Sequence, residues 1–580
     1  MLFIFSILAV IKQHQIMFKE TEKNVQLDIF STPAEHLRGS SQKFYLENDS
    51  WHNIFRKEVL SHINEQIFSV LYCKDNGTPN ASIRVLVAMM LLKEGQGWSD
   101  DQLFENCNYN LLVRSALGLL TLDDTAPVAS TYYRFRRNIV DYNREHNADL
   151  FKECMQSITK SQMVEFNVSG KHIRMDSKLM GSNIAWYTRY ELVHETLRLF
   201  IKERREYIYK RSLSESDFEL IQSIEGEDGD KVVYRSTKSE IEARFLELGK
   251  LMHRFIHLFK EYPEGQYEIL KTVFNQQFSC KEKVVLALEK EKISADSIQS
   301  PHDPESHYRN KAGDKVKGNS INVTETCEKS TEEAPKVNLI TDVEVKPATA
   351  SDCNFLQDAA GNSQKMTTDD IEKLYADGAY NSSENQEFCA DNDIDLILTG
   401  LQGAEGRYDL IPDEQNADKL TVIDRKTGNI IDAQLANPHK NPEEKKWKIK
   451  TDDGKWRYFT RENIRTSLLR QKLRDTPKEE RNMRNNVEAT IFQMGFHYAN
   501  NKSRYRGLEK HKLWAYSRAL WVNFARLRKH MIKLSEGSSI YAQNLIFSSI
   551  SFILQQIIIK ISYINYKTNK SRKMTQFSCF

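Results

Sequence analysis

The sequence has few cysteines, and they form no recognisable metal or disulfide pattern. It contains eight, scattered from Cys73 to Cys579, and none belongs to a CxxC pair. A zinc ribbon requires such pairs, and a small secreted fold requires a dense, even set of cysteines. The pattern therefore argues against both classes, and it fits a protein of the reducing cytoplasm.

The sequence also has almost no net charge. Its 82 lysines and arginines are balanced by 80 acidic residues, which gives a formal charge of +2. No global field would draw such a chain to nucleic acid, so any DNA binding must use local basic patches. With 40% hydrophobic and 28% charged residues in 580, the composition is that of a folded protein with several domains.

Long hydrophobic runs are missing as well. Residues 2–11 are apolar but too few to span a bilayer. No basic residue precedes them and no small-residue cleavage site follows, which disfavours a signal peptide. We interpret residues 1–16 as an upstream extension, with translation beginning at Met17. The run 545–559 is interrupted by Gln555 and Gln556, so no membrane association is expected.

The sequence predicts two short strands that each lead into an aspartate. Ile173 and Met175 alternate with polar residues and lead into Asp176, a pattern typical of a half-buried strand that ends near the acid. A second short strand leads into Asp377, and Gly378 allows the backbone to turn directly afterwards.

A helix supplies a third acid. Thr476 and Pro477 predict its start, as an N-cap followed by a proline at the first position. Arg481, Arg484 and Glu488 then share one face at spacings of three and four residues. Two strand-borne aspartates and a helix-borne glutamate can hold two divalent cations, the apparatus for cutting and joining phosphodiesters. The alternative is a solvated helix face with an Arg484–Glu488 ion pair.

These pieces, in this order, make the chain resemble a DDE-type bacterial insertion-sequence transposase. The matching pieces are Met175-Asp176-Ser177, Ala376-Asp377-Gly378-Ala379-Tyr380 and Arg484-x3-Glu488. The helical run that ends at Ser130–Arg136 also resembles the leader domain of that family, and the similarity covers roughly residues 20–530.

The resemblance implies an α/β fold with a ribonuclease-H-like core, a mixed sheet flanked by helices. With the composition patterns it divides the chain into an upstream extension (1–16), a helical N-terminal DNA-binding domain (17–165), a split catalytic core (166–185, 300–400 and 475–535), a helical insertion (186–299), a β-rich insertion (401–474) and a tail of unassigned role (536–580).

The resemblance also implies an activity. Asp176, Asp377 and Glu488 would bind two Mg²⁺ or Mn²⁺ ions and catalyse strand cleavage at the element's ends, followed by attack of the freed 3'-hydroxyl on target DNA. The expected partners are double-stranded terminal repeats, target DNA and a second copy of the chain. Two other functions remain open: a degenerate transposase that binds DNA without cutting, and a metal-dependent DNA nuclease.

The helix motif departs from the family pattern at two positions. The family has a tyrosine where this chain has Arg481, and a lysine where it has Gly495. Arg481 and Arg484 are expected to bind a phosphate near the scissile bond. Lys502 or Arg504 is expected to replace the missing lysine.

Two further segments suggest DNA contacts. Arg134, Arg136 and Arg137 are interleaved with aromatic residues on a helix predicted to be capped by Ser130, which suits a DNA backbone contact. The alternative is a solvated face with aromatics turned to the core. A predicted hairpin alternates Lys446, Lys448 and Lys450 with tryptophan and isoleucine, which suits either DNA or an edge strand whose lysines block further pairing.

Other candidate ligands fit the sequence less well. Asp303, Asp342, Glu479 and Glu480 lie in the same regions as the three acids but do not close an apolar strand. His253 and His257 are four residues apart on a helix, but the glutamate of an H-E-x-x-H zinc site is missing.

Overall fold

The computed structural model describes residues 17–21 and 32–535, apart from short gaps at 75–76, 212, 283, 312, 332–333, 414, 417, 438–439, 442–443, 453 and 496–500. The predicted upstream extension and the C-terminal tail lie outside the described residues.

A mixed sheet of six strands forms the centre of the molecule. Its strands are β1 (His172–Gly181), β4 (His307–Lys311), β5 (Asp314–Thr326), β6 (Ile340–Pro347), β7 (Lys373–Ala376) and β8 (Asp395–Leu398). The order across the sheet is β6-β5-β1-β7-β8, with β4 paired to the first part of β5. β5 runs antiparallel to β1, β4 and β6, whereas β7 and β8 run parallel to β1. This arrangement confirms the predicted mixed sheet.

Helices cover both faces of this sheet. Two of them, α14 (Leu356–Met366) and α15 (Ser383–Asp391), pack on the face formed by Ile173, Met175 and Leu374. The opposite face contributes apolar side chains such as Met180, Ile321 and Val323 to a larger core that it shares with the N-terminal helices.

That larger core joins the two ends of the described chain. The N-terminal helices are α1 (Pro33–His36), α2 (Gly39–Leu46), α3 (Trp51–Glu58), α4 (Ile83–Gln96), α5 (Asp100–Tyr109), α6 (Leu111–Ala116), α7 (Ala129–His146) and α8 (Leu150–Glu165). They pack around α19, a helix whose described part is 508–535. Phe55 on α3 contacts Trp521 and Phe524 on α19, with ring centroids 6.2 and 5.2 Å apart.

The local signals for these helices are partly correct. Gly97 ends α4 at φ 71°. Ser99 and Gln102, three residues apart, have the sequence pattern that predicts a capping box, and they form one at the start of α5. The apolar pattern of α4 predicts one buried face, but this helix is buried nearly all round because neighbouring helices enclose it. Ser130 is not the cap of α7: the helix begins at Ala129, after Val128.

Residues between β1 and β4 form a helical unit with its own core. Its helices are α9 (Arg189–Ile208), α10 (Glu215–Gly226), α11 (Gly229–Arg235), α12 (Lys238–Leu258) and α13 (Gln266–Gln277), followed by the hairpin of β2 (Phe278–Lys281) and β3 (Val284–Ala287). An apolar stripe on α12 packs inside this unit, where Phe245, Leu248, Met252 and Phe255 are buried.

A second, five-stranded antiparallel sheet follows β8. Its strands are β9 (Tyr408–Pro412), β10 (Leu420–Asp424), β11 (Ile430–Leu435), β12 (Lys446–Lys450) and β13 (Trp456–Thr460), in the order β13-β12-β11-β10-β9. Helix α16 (Arg461–Asp475) packs on one face of it. The short helix α17 (Lys478–Arg481) and α18 (Asn486–Gly495) return the chain to the central sheet.

Among the residues that the structure describes, no helix has both the length and the apolar character needed to cross a lipid bilayer.

Candidate active site

The two aspartates lie side by side on neighbouring parallel strands. Ile173 pairs with Leu374, and Arg174 pairs with Tyr375. Continuing this register by two residues aligns Asp176 with Asp377, and both side chains face away from α14 and α15 because side chains alternate along a strand. The sequence predicted that the strand ends near Asp176, and this is wrong. β1 continues to Gly181 because β5 pairs with its whole second half.

A glycine contact fixes the turn after Asp377. β7 ends at Ala376, and Gly378 begins a short 3₁₀ turn that ends at Tyr380. A Cβ atom at Gly378 would lie 2.1 Å from the carbonyl oxygen of Gly400, just beyond β8. Only glycine permits this close approach of the two backbones.

The third acid reaches the site from a broken helix. The sequence predicted one continuous helix from Thr476, but α17 ends at Arg481, a 3₁₀ turn covers Asn482–Arg484, and α18 starts at Asn486. Asparagine side chains compete with helical hydrogen bonding, and the carbonyl of Met483 accepts a hydrogen bond from Arg174. Thr476 does not cap a helix start; its hydroxyl donates to the carbonyl of Lys472.

Arg484 lies between all three acids. One guanidinium nitrogen, Nη2, is 2.6 Å from Oδ2 of Asp176 and 3.9 Å from Oδ2 of Asp377. The other, Nη1, is 3.2 Å from Oε1 of Glu488. The side chains of Arg484 and Asp176 are 12% and 15% exposed, whereas those of Asp377 and Glu488 are 49% and 64% exposed. The site is therefore buried at Asp176 and open to solvent at the other two acids.

Burial and charge act in opposite directions on Asp176. Burial raises the pKa of this carboxyl above its ordinary value, and nearby Asp377 adds to the rise, while Arg484 and the backbone N–H of Ser177 oppose it. Burial alone would lower the pKa of Arg484, but its contacts with Asp176, Asp377 and Glu488 raise it. The guanidinium stays charged and offsets part of the repulsion between the acids.

The described residues contain no group of three or more His, Cys, Asp or Glu side chains already arranged to hold a metal ion. At the candidate site, the guanidinium of Arg484 contacts all three carboxylates.

Neighbouring residues stabilise the site through contacts that the sequence did not predict. The hydroxyl of Ser177 donates to Asp352 at 2.8 Å, and the Ser177 N–H donates to Asp176 at 2.9 Å. Tyr380 donates to Oδ1 of Asn322 at 2.6 Å, which ties the turn after Asp377 to β5. Ser177 and Tyr380 belong to the motifs already recognised. Asp352 follows no pattern in the sequence and is found only through the fold.

A buried ion cluster anchors α18 to the sheet. Glu325 on β5 is fully buried and accepts from Arg174 and Arg526 at 2.6 Å each, and from Thr490 of α18 at 2.8 Å. Two cations on one carboxylate satisfy its lone pairs in a site that water does not reach. This cluster fixes the helix that carries Glu488.

The predicted DNA-binding arginines of α7 have different settings. Arg134 and Arg137 are exposed. Arg136 is instead stacked over the rings of Tyr132 and Tyr505, 5.5 Å from each centroid. Arg136 therefore links α7 to the loop before α19.

The remaining predicted basic residues have different local settings. Arg481 forms no ion pair within the described part of the chain, and its Nε is buried without a hydrogen-bond partner. Lys502 donates to the carbonyl of Ile184 at 3.0 Å, and Arg504 donates to the carbonyls of Gly97 and Trp98 at 3.0 Å. Of the predicted basic residues, Arg484 contacts all three acids.

The rival acids have other partners. Asp303 accepts from Ser182, Asp342 pairs with Lys152 at 3.0 Å, and Glu480 pairs with Lys373. Glu479 lines a separate cavity of about 640 Å³. The Nε2 atoms of His253 and His257 lie 3.2 Å apart and contact each other on α12.

Comparison with known proteins gives one match. Residues 44–138 match the model of the family described as Transposase domain (DUF772), a range that runs from the end of α2 into α7 and includes Arg134, Arg136 and Arg137. No curated protein and no solved structure matches the chain. A transposase acts on DNA, so the match implies DNA binding and suggests a function in transposition. Residues 44–138 thus resemble a transposase domain, and this supports the identification of the chain as an insertion-sequence transposase.

Proposed function

We propose that the chain is a DDE-type transposase in which Asp176, Asp377 and Glu488 form the catalytic site. The observation that carries this proposal is the convergence of all three carboxylates on Arg484, although they are far apart in the sequence. The strand order β6-β5-β1-β7-β8, in which β5 runs antiparallel to β1 and β6 while β7 and β8 run parallel to β1, supports a ribonuclease-H-like core.

The residues present fit divalent cations. Mg²⁺ and Mn²⁺ prefer carboxylate oxygens, and the three acids supply only such ligands. A cation already lies among them in the structure, the guanidinium of Arg484, which shows that the acids together attract positive charge. Asp176, Asp377 and Glu488 would hold two ions, which supply activation of the attacking oxygen and stabilisation of the leaving oxygen.

The chain's own side chains orient the reaction. DNA would approach from the solvent-exposed side, where Asp377 and Glu488 are open. Arg484 would turn its donors from the acids to a phosphate oxygen next to the scissile bond. In the first step a water oxygen attacks phosphorus, the bond to the 3'-oxygen breaks, and that oxygen leaves as a hydroxyl. In the second step this hydroxyl attacks a target phosphodiester and releases a different 3'-hydroxyl.

The proposal includes a homodimer on paired DNA ends. One copy binds each terminal repeat, so strand transfer of both ends into one target requires two sites. Sedimentation of the protein with and without end DNA tests this stoichiometry.

A cleavage assay tests the catalytic site. The protein is incubated with the DNA ends of its own element and Mg²⁺ or Mn²⁺, beside Asp176→Asn, Asp377→Asn and Glu488→Gln. Each variant should abolish both nicking and strand transfer. The matched control is Glu479→Gln, an acid on α17 that contacts none of the three, and it should cut normally.

The outcomes separate the alternatives. Cutting that survives Glu488→Gln would refute the choice of third acid. Tight end binding by the unmodified protein without any cutting would indicate a degenerate transposase. Metal-dependent cutting of any DNA, without strand-transfer products, would indicate a nuclease.

A further inference from the structure

A cleft in the unit formed by the second sheet and α16 is lined by arginines. It has a volume of about 390 Å³ and lies between the start of β9, β13 and one side of α16. Five arginines line it, together with the hydroxyl and amide side chains of α16; the arginines are Arg407, Arg425, Arg457, Arg470 and Arg474. So many guanidinium groups around one cavity require either carboxylates or an external anion.

Carboxylates hold three of these arginines in place. Arg407 forms a two-pronged contact with Asp424, through Nε at 3.0 Å and Nη2 at 2.5 Å. Arg425 lies 2.7 Å from Glu405, and Arg474 lies 2.7 Å from Asp409. These pairs order the walls of the cleft in advance, which lowers the entropy lost when a ligand binds.

The other two arginines keep their charge available. Arg470 donates to the backbone carbonyls of Gln402, Gly403 and Ala404, which carry no formal charge. Arg457 has no carboxylate partner among the described residues, and it lies over the ring of Tyr408 at 5.8 Å. Counting Asp452 near Arg407, five arginines face four carboxylates, so the cleft is positively charged.

The shape and chemistry suit a phosphate group. Planar guanidinium groups bind phosphate oxygens in pairs, and cavities of this size hold one small ligand group. Asn463 and Thr466 add neutral donors on the helix side, and the exposed ring of Tyr458 forms part of the rim. The lining also includes Tyr408, Leu410 and Phe459, but polar and charged side chains predominate.

The cleft is connected to the central sheet. Near its other end, α16 binds β8, where Nζ of Lys472 donates to the carbonyl of Leu396 at 3.0 Å. β8 is the neighbour of β7, the strand that leads to Asp377. An anion held in the cleft would therefore have a fixed position relative to the candidate catalytic site.

We propose that this arginine cleft binds a backbone phosphate of DNA outside the cleavage site, with Arg457 as the principal contact. The choice of DNA as the source of the phosphate rests on the proposed function. The cleft would position the duplex while the three acids act elsewhere on it, so its contribution belongs to binding and does not require cleavage.

Salt-dependent binding tests the proposal. A fluorescently labelled duplex is titrated with the full chain in EDTA, at several salt concentrations. Arg457→Gln should weaken binding about tenfold at low salt and reduce the slope of log affinity against log salt by about one, the effect of a single lost phosphate contact. Arg457→Lys should keep most of the slope. The matched control is Arg465→Gln on α16, a partly exposed arginine outside the cleft that pairs with Glu387.

The outcomes are clear-cut. Equal affinity and slope for Arg457→Gln and Arg465→Gln would overturn the proposal. Inorganic phosphate that saturates the cleft at concentrations where the duplex fails to compete would also overturn it, in favour of a free-anion site. A thermal unfolding curve for Arg457→Gln that matches the unmodified protein excludes misfolding. Because no cutting is measured, this test stands even where the proposed catalysis fails.

Discussion

Replacing Arg484 with glutamine should destabilise the metal-free protein, mainly through Asp176. The 2.6 Å contact joins two side chains that are 12% and 15% exposed, and such a charge-assisted hydrogen bond contributes about 1.5–3 kcal/mol. The contacts with Asp377 and Glu488 involve acids that are half exposed or more, so solvent reduces them to below about 1 kcal/mol together. We expect a total loss of about 2–3 kcal/mol.

A double-mutant cycle measures this interaction directly. Urea unfolding in EDTA is compared for the unmodified protein, Arg484→Gln, Asp176→Asn and the double variant, and the coupling energy should be about 2 kcal/mol. Arg481→Gln is the control, because this arginine has no acidic partner in the described residues and should change stability by less than about 1 kcal/mol. A coupling energy below about 0.5 kcal/mol would refute the contact and the reasoning built on it.

Three further changes test other parts of the structure. Gly378→Ala should lower the free energy of unfolding by about 1–3 kcal/mol, because the added Cβ meets the Gly400 carbonyl. Gly361→Ala on α14 has open space around the added Cβ and should be neutral or stabilising. Thermal unfolding of the two variants measures the difference. Glu325→Gln should lower the free energy of unfolding by about 3–5 kcal/mol, because it leaves the charges of Arg174 and Arg526 poorly compensated. Glu328→Gln is the control: its ion pair is partly exposed, and the substitution should lower the free energy of unfolding by less than about 1 kcal/mol. A similar decrease for both variants would contradict the buried cluster. Burial raises the pKa of Asp342 from 3.8 to about 7, so between these pH values the folded protein holds a proton that the unfolded chain releases. The free energy of unfolding should therefore fall as pH rises from about 4 to about 7. Asp342→Asn should remove this fall, and a pH profile that the substitution leaves unchanged would disprove the assignment to Asp342.

The sequence was most informative where one residue type has few structural uses. The alternation before Asp176 and the glycine after Asp377 predicted the two strands, and Ser99 and Gln102 predicted a capping box that the structure confirms. The lysine–tryptophan alternation predicted the β12–β13 hairpin, whose register pairs Trp447 with Phe459.

Features that depend on distant parts of the chain were not predictable. The break before α18 depends on Arg174, which lies on β1, far earlier in the sequence, and donates a hydrogen bond to the carbonyl of Met483. The full burial of α4 depends on neighbouring helices, including α19, and the position of Arg484 depends on how α18 docks on β1 and β5. Asp352 gave no signal in the sequence because its contact with Ser177 depends on how distant parts of the chain fold together.

The shared core of the N-terminal helices and α19 has a consequence for synthesis of the protein. Residues 44–138 leave the ribosome long before 508–535, yet two aromatic partners of Phe55, Trp521 and Phe524, lie on that last described helix. A nascent or truncated chain would therefore leave this apolar surface uncovered. We expect premature termination products to be poor competitors for DNA, because the matched transposase domain completes its core only when the part of the chain that carries Glu488 has also been made.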